Sequence, residues 1–235
     1  MEENSNMTAE RSLEIITKQI EQSRRAVSKT TGLSLYISGI CIMCTAVLVV
    51  LINIITMSQG MVGVGHLLWF ALPVVIWMLS RKYIKNREQT PVSLVSSMIA
   101  KTWITFGYFG IGFFVIALIW SILAPRLLTP SEYVASQIRV APVIVLMMGM
   151  AITITGHILK QRWLVTFGIV AGLFCFAWEH FHIGEGIVVR AFISDGSSYS
   201  LTAAAVNASL PCITIFIFAL VGLLLPGIML KNQSL

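Results

Sequence analysis

Charged residues are scarce in this chain of 235 residues: Asp, Glu, Lys and Arg together make up only 11%. A water-soluble domain carries about 25% charged residues. Apolar residues reach 57%, and the mean hydropathy is +0.86. A surface with so few charges cannot keep a chain of this length in water, so a soluble fold is excluded and most of the chain must lie in lipid.

Cysteine is also rare, and its placement excludes a secreted disulfide framework. The four cysteines all fall inside apolar runs. Cys41 and Cys44 form the tetrapeptide CIMC, which at the start of a soluble helix would indicate a redox or zinc site. Inside an apolar run, a thiolate or a bound ion would be poorly solvated. We therefore expect Cys41, Cys44, Cys175 and Cys212 to be small packing residues.

Long apolar runs are what the chain has in abundance. A transmembrane helix needs about 20 predominantly apolar residues, and strands of a membrane barrel would alternate apolar and polar positions. Six runs qualify, and each is continuously apolar rather than alternating. The sequence therefore predicts an all-α integral membrane protein with six transmembrane helices, at about 33–57, 66–80, 102–124, 140–159, 163–181 and 206–230.

Lys and Arg are distributed unevenly among the connections between these runs. Only three of the 16, Arg126, Arg139 and Arg190, fall on one side of the predicted bundle. Cytoplasmic connections of membrane proteins carry the excess of basic residues. The sequence therefore predicts that both termini are cytoplasmic, with a transmembrane domain over 33–231 and a cytoplasmic tail over 232–235. The basic excess is an orientation signal, so we expect no direct nucleic-acid partner.

Residues 1–32 are predicted to form a cytoplasmic amphipathic helix that ends at Gly32. Apolar residues recur at helical spacing, with Glu and Lys or Arg between them. Such a stripe can lie on the inner membrane surface, pair with a second copy as a short coiled coil, or dock a cytoplasmic regulator. The candidate interaction residues are Leu13, Ile16, Ile20, Arg24, Arg25 and Val27.

Asp, Glu, Lys and Arg are missing from the middle of all six runs. Pumps and membrane enzymes place such groups there because the groups do the chemistry. The hydroxyls inside the runs, such as Thr153 and Thr155, are predicted to form hydrogen bonds between helices. Small residues that let helices approach in lipid are the other signal. They are Gly168 and Gly172 in a GxxxG motif, and Gly107, Gly110 and Gly112 in the third run.

One cluster of ionisable residues stands at the end of the fifth run, in the segment EHFHIGE. On a continuing helix Glu179 and His182 share a face, and so do His182 and Glu185. Imidazole and carboxylate ligands at this spacing suit a divalent cation such as zinc. Glu179, His180, His182 and Glu185 are therefore candidate metal ligands, with polar anchoring of a helix end as the alternative.

Five segments spread over nearly the whole chain carry a resemblance to a known family. They are RSLEIITKQIEQSRRAVSKTTG, RKYIKNRE, KTWITFGYFGIGFF, ITGHILKQRWLVTFGIVAG and PGIMLK. Together they resemble small six-span inner-membrane proteins common in Bacteroidota, whose genes often lie beside a small winged-helix regulator. The family has no assigned activity, so the resemblance implies a fold, a topology and a bacterial inner membrane but no catalytic residue. EHFHIGE and the long connection after it depart from the family pattern.

These features favour a non-enzymatic membrane protein that docks or signals through its N-terminal helix. The alternatives are a component of small-solute or lipid-associated transport, and a metal-dependent activity at the outer face. The sequence contains no catalytic or cofactor motif, and zinc is the cofactor that the EHFHIGE cluster would take.

Overall fold

The computed structural model describes residues 2–57, 59, 64–85, 94–129, 139–184 and 201–232, and in these ranges the chain is helical, without strands. The helices are α1 (Glu2–Met57), α2 (Leu68–Lys85), α3 (Leu94–Leu127), α4 (Val140–Leu159), α5 (Arg162–His180), α6 (Leu201–Ala219) and α7 (Leu225–Asn232). A 3₁₀ turn, Val64–Leu67, precedes α2, and a π-helical turn, Leu220–Leu224, joins α6 to α7. Six helical stretches are long and apolar enough to cross a membrane, as expected of a multi-pass membrane protein.

The first helix is one continuous rod of 56 residues rather than two helices separated at Gly32. The predicted break at Gly32 is wrong, because the glycine serves a close approach between helices. A Cβ atom on Gly32 would lie 2.8 Å from Cβ of Leu230 and 2.9 Å from the backbone nitrogen of Lys231. Gly32 therefore lets α7 pack directly onto the backbone of α1.

The predicted start of the first span and the predicted finish of the last lie at the same end of the bundle, which we call the terminal end. The contact of Gly32 with Leu230 and Lys231 fixes this, because it joins the start of the first span to the finish of the last. The opposite end is marked by the contact of Asn53 with Gly65 and of Arg139 with Glu179.

The core of the bundle is formed by α1, α4, α5 and the α6–α7 helix. One cluster of buried side chains joins all of them and includes Leu35, Val145, Ile152, Leu164 and Leu223. The helices α2 and α3 pack at the edge, and most of their large apolar side chains are exposed. In a membrane such side chains contact lipid, which is as apolar as the protein interior.

Glycine brings α4 and α5 together, as the GxxxG motif predicted. A Cβ on Gly149 would lie 2.6 Å from the carbonyl oxygen of Gly168 and 2.7 Å from Cα of Gly172. The prediction for Gly168 and Gly172 is therefore confirmed, and the contact is within one chain. Without side chains at these positions the two backbones touch.

The glycines of α3 behave differently: they mark no close helix contact within the described part of this chain, and the alternative, a contact between chains, stays a prediction. A Cβ on Gly107 or Gly112 would have no atom within 4 Å, and one on Gly110 would only reach Ile144, at 3.8 Å. Gly112 lies in an open, apolar groove of about 340 Å³ between Tyr108 and Ile116. This side of α3 faces away from the bundle.

The π-helical turn in the last span accommodates a proline. Pro226 is buried and lies two residues after the end of the π turn. A proline ring inside a regular α-helix clashes with the carbonyl group four residues earlier, here that of Gly222. The wider π turn, Leu220–Leu224, relieves this clash and lets the span continue to Asn232.

Candidate functional site

The N-terminal part of α1 extends beyond the bundle and exposes a row of apolar side chains. Every side chain from residue 11 to 22 is exposed. Leu13, Ile16 and Ile20 are exposed by 64%, 52% and 52%, and their spacing of three and four residues places them on one face. We call residues 2–22 the extension and these three residues the stripe.

Val27 was predicted to belong to the stripe, and this is wrong because Val27 lies in the core of the bundle. Its side chain is only 5% exposed and joins the main apolar cluster. The transition from extension to bundle therefore occurs between Gln22 and Val27, before the predicted start of the first span.

The two adjacent arginines at this transition have different environments. Arg24 is partly buried, and its Nε atom is buried without a hydrogen-bond partner among the described residues. Arg25 is exposed. Arg24 follows Ile20 by four residues and precedes Val27 by three, so all three share one face of α1. The stripe is thus followed on the same face by Arg24, whose Nε–H donor has no acceptor among the described residues.

At the opposite end of the bundle, Glu179 ties three helices together. Its Oε2 atom lies 3.6 Å from Nη1 of Arg139, and that nitrogen also donates to the Glu179 carbonyl oxygen at 3.5 Å. The hydroxyl of Thr214 donates to Oε1 at 3.4 Å. The carboxylate therefore links α5 to the start of α4 and to α6. Arg139 is 56% exposed, so the ion pair itself adds little stability.

Glu179 and His182 both line a small cavity, together with Trp178, Gly184 and Thr214. Its volume is about 20 Å³, which is room for about one water molecule. An organic ligand needs several hundred Å³. This cavity can hold a water molecule or an ion but no metabolite.

The predicted metal ligands are only partly brought together. The helix ends at His180, and His182 adopts a left-handed φ of 50°, so the continuing helix on which the prediction relied ends too early. The His180 ring is exposed and packs edge-on against Phe181, with ring centroids 5.2 Å apart. Glu185 lies outside the described residues. Within the described part of the chain no three His, Cys, Asp or Glu side chains form a metal-binding group, and the zinc site stays a prediction.

The polar residues inside the spans serve the helices themselves. Thr153 and Thr155 donate to the carbonyl oxygens of Gly149 and Ala151, four residues earlier on the same helix. The prediction of bonds between helices is wrong here, because a hydroxyl in a helix can bond its own preceding turn. Asn53 does connect two elements: it is 1% exposed and its Oδ1 accepts the Gly65 N–H at 3.1 Å.

The cysteines have varied surroundings. All four are free, with Cys41, Cys175 and Cys212 buried and Cys44 exposed. The packing role is confirmed for the buried three, whereas Cys44 points away from the bundle. The sequence did not indicate that the Cys212 thiol would approach Nδ1 of His66, at 3.9 Å. That distance is a weak contact between α6 and the turn before α2.

The chain matches no model of a known protein family, and neither a curated protein nor a solved structure is significantly similar to it. The proposals below therefore rest on the residues and their arrangement.

Proposed function

We propose that this chain is a non-enzymatic, multi-pass protein of a bacterial cytoplasmic membrane, and that its N-terminal helix docks a cytoplasmic protein. The observation that carries the proposal is the stripe. Leu13, Ile16 and Ile20 are each more than half exposed on a helix that continues without a break into the bundle. An apolar row on a water-exposed helix is the form of surface that a second helix or a groove covers.

The unbroken course of α1 supports docking over attachment to the membrane surface. At 1.5 Å per residue the 56 residues of α1 extend about 84 Å, whereas the hydrocarbon layer is about 30 Å thick. A helix on the membrane surface would have to bend by roughly a right angle where the span begins. No break interrupts α1 at that point, so the extension projects about 30 Å from the bundle.

The charges of the extension support a helix that is stable enough to present the stripe. Glu14 precedes Lys18 by four residues, and Glu21 precedes Arg25 by four. This order and spacing stabilise an isolated helix by about 0.2–0.5 kcal/mol per pair. Short helices remain marginal in water without tertiary packing. A partner that covers the stripe would supply the missing packing.

The orientation is the part of the proposal that the basic residues support. In the predicted topology, thirteen of the 16 Lys and Arg residues belong to the side of the termini, and the resemblance to inner-membrane proteins of Bacteroidota supports the same placement. Single cysteines introduced at Gln89 and Ser198, in a background without other cysteines, test it with an impermeant thiol reagent. We expect labelling of Ser198→Cys in intact cells and of Gln89→Cys only after permeabilisation. The reverse pattern would refute a cytoplasmic extension.

The transport alternative has less support from the described residues. The polar cavity beside Glu179 holds about one water molecule and lies at one end of the bundle rather than at its middle. Transporters place their sites near the midplane, on interrupted helices. The docking proposal accounts for the exposed stripe, which a transport function would leave unexplained.

The docking proposal is tested by photo-crosslinking in the native membrane, with a photoreactive residue in place of the exposed Thr17 beside the stripe. The test variant is Leu13→Glu with Ile20→Glu. The control is Ile15→Glu with Gln22→Glu, which adds the same charge at the same seven-residue separation. Its two side chains are also exposed but lie about 160° around the helix.

We expect a discrete cytoplasmic protein to be crosslinked in the wild type and in the control, and the adduct to disappear in the test variant. Both variants should insert and purify as the wild type does, because the stripe lies outside the core. If the test variant fails to insert, the stripe belongs to the packing of the bundle. If it keeps the same adducts as the control, the stripe docks nothing, and either result refutes the proposal.

A further inference from the structure

The stripe lies on the side of α1 against which the rest of the bundle packs. Ile16 and Ile20 precede Val27 and Thr31 by eleven residues, which is about three helical turns and leaves each pair within about 20° of one another. Val27 and Thr31 are 5% and 7% exposed inside the bundle. The stripe is therefore directed over the terminal end of the bundle, and the two surfaces form a corner.

The terminal end of the bundle, which forms the floor of this corner, is basic. Outside α1, the only carboxylate among the described residues is Glu179, and it lies at the opposite end. Lys231, in the last described turn, lies beside Gly32, and its Nζ is 5.6 Å from the centroid of the Tyr36 ring. The other described basic residues of the terminal end outside α1 are Arg81, Lys82, Lys85, Lys101, Lys160 and Arg162.

Arg24 stands where the stripe meets this floor. Its Nε is buried and has no hydrogen-bond partner among the described residues, although Arg24 faces the same side as Ile20 and Val27. A buried donor of a charged group that lacks an acceptor is costly. Because Nε is shielded in this position, the Arg24 side chain has to turn outward to reach an acceptor. A carboxylate is the matching one, because it can then bond Nε and a terminal nitrogen of the same guanidinium group at once.

We propose that the occupant of this corner is an acidic amphipathic helix of a cytoplasmic protein. Its apolar face covers the stripe, and its carboxylates bind Arg24 and the basic terminal end. This inference rests on the docking function proposed above and adds the chemistry of the partner.

Two other occupants fit the geometry less well. The first is a second copy of this chain, paired through parallel extensions. Its own bundle would have to lie on the side of α1 that α6 and α7 already cover. The lipid headgroup layer is about 5–8 Å deep on each side of the bilayer. Measured from Val27, where the bundle begins, Ile20 and Leu13 lie about 10 Å and 21 Å along α1, which is beyond the depth of that layer.

The test uses the full chain in nanodiscs of phosphatidylcholine and a fluorescent synthetic helix of 21 residues. The acidic probe has leucine on one face and glutamate on the other, and the basic probe has lysine in place of every glutamate. We expect the acidic probe to bind at least ten times more tightly than the basic one. Arg24→Gln should weaken the acidic probe at least tenfold, and the matched control Arg25→Gln less than twofold, because Arg25 faces away from the corner.

The stripe variant Leu13→Glu with Ile20→Glu separates this inference from the docking function. If it abolishes binding while both probes bind the wild type equally and Arg24→Gln has no effect, the stripe docks a helix but the partner is not acidic. That result overturns this inference alone. Failure of both probes to bind, or binding that is independent of the stripe, overturns both proposals.

Two further measurements address the other occupants. A wild-type dimer by analytical ultracentrifugation that becomes a monomer in the stripe variant would make a second copy the occupant. Stripe-dependent protection of the extension by phosphatidylglycerol nanodiscs would make it the membrane. Each of these outcomes overturns the acidic partner, whereas a monomeric wild type that binds the acidic probe through Arg24 supports it.

Discussion

The close contact between α4 and α5 offers a sharp test of the packing, through the substitution Gly149→Ala. The added methyl group would lie 2.6 Å from the carbonyl oxygen of Gly168 and 2.7 Å from Cα of Gly172, and ordinary contacts begin at 3.4 Å. Both neighbours are backbone atoms, so the helices must separate by about 0.7 Å along the whole contact. Overpacking of this kind costs about 1–3 kcal/mol.

The expected loss for Gly149→Ala is about 2 kcal/mol, because the contact involves backbone on both sides and alanine returns up to about 1 kcal/mol of helix propensity. For a chain of this size, that loss lowers the melting temperature by about 4–8 °C. Thermal unfolding of the full chain in one detergent measures it.

The control is Gly112→Ala in α3, where a Cβ would have no atom within 4 Å. We expect its melting temperature to equal that of the wild type or to rise slightly. If Gly149→Ala melts within about 1 °C of the wild type, the two backbones are not in contact. If Gly112→Ala is destabilised to the same degree, α3 has a helix partner that this bundle does not show.

Two further predictions concern polar groups. Asn53→Leu removes the acceptor of the buried Gly65 N–H and should lower the free energy of unfolding by about 1–3 kcal/mol. Combined with Gly65→Ala, the two losses should be less than additive, because both changes break the same contact. Strictly additive losses in the free energy of unfolding would contradict this prediction. If Glu179 and His182 bind zinc, zinc should raise the melting temperature of the wild type, and Glu179→Gln or His182→Gln should remove that rise. An equal wild-type melting temperature with and without zinc would refute the metal hypothesis.

The number and class of the helices could be predicted from the sequence because they depend on local composition. Transfer of a segment into lipid is roughly a sum over its own residues, and a helix is the only way for a single segment to satisfy its backbone there. The six apolar runs are therefore enough to locate the spans, and Lys and Arg are enough to divide the connections into two sets. The stripe, Leu13, Ile16 and Ile20, could be predicted from local periodicity in the same way.

Contacts between helices could not be predicted with the same success, because in lipid the apolar faces of a helix look alike whether they meet lipid or protein. Gly168 and Gly112 both stand in glycine-containing apolar helices, yet only Gly168 touches a neighbour. The sequence also suggested a helix break at Gly32, where the structure has a helix crossing, and it gave no sign that Glu179 would meet Arg139 across 40 residues.

What the sequence by itself determined is a helical chain with six stretches long and apolar enough to cross a membrane and with an apolar row in its N-terminal helix. Hydropathy and helical periodicity are properties of short segments. Only the tertiary structure decided which way that helix faces. The packing of Val27 and Thr31 against the bundle sets the rotation of the whole of α1, because a continuous helix is stiff and each residue follows the last by about 100°. That rotation turns Leu13, Ile16 and Ile20 toward the basic terminal end and leaves Ile15 on the opposite side.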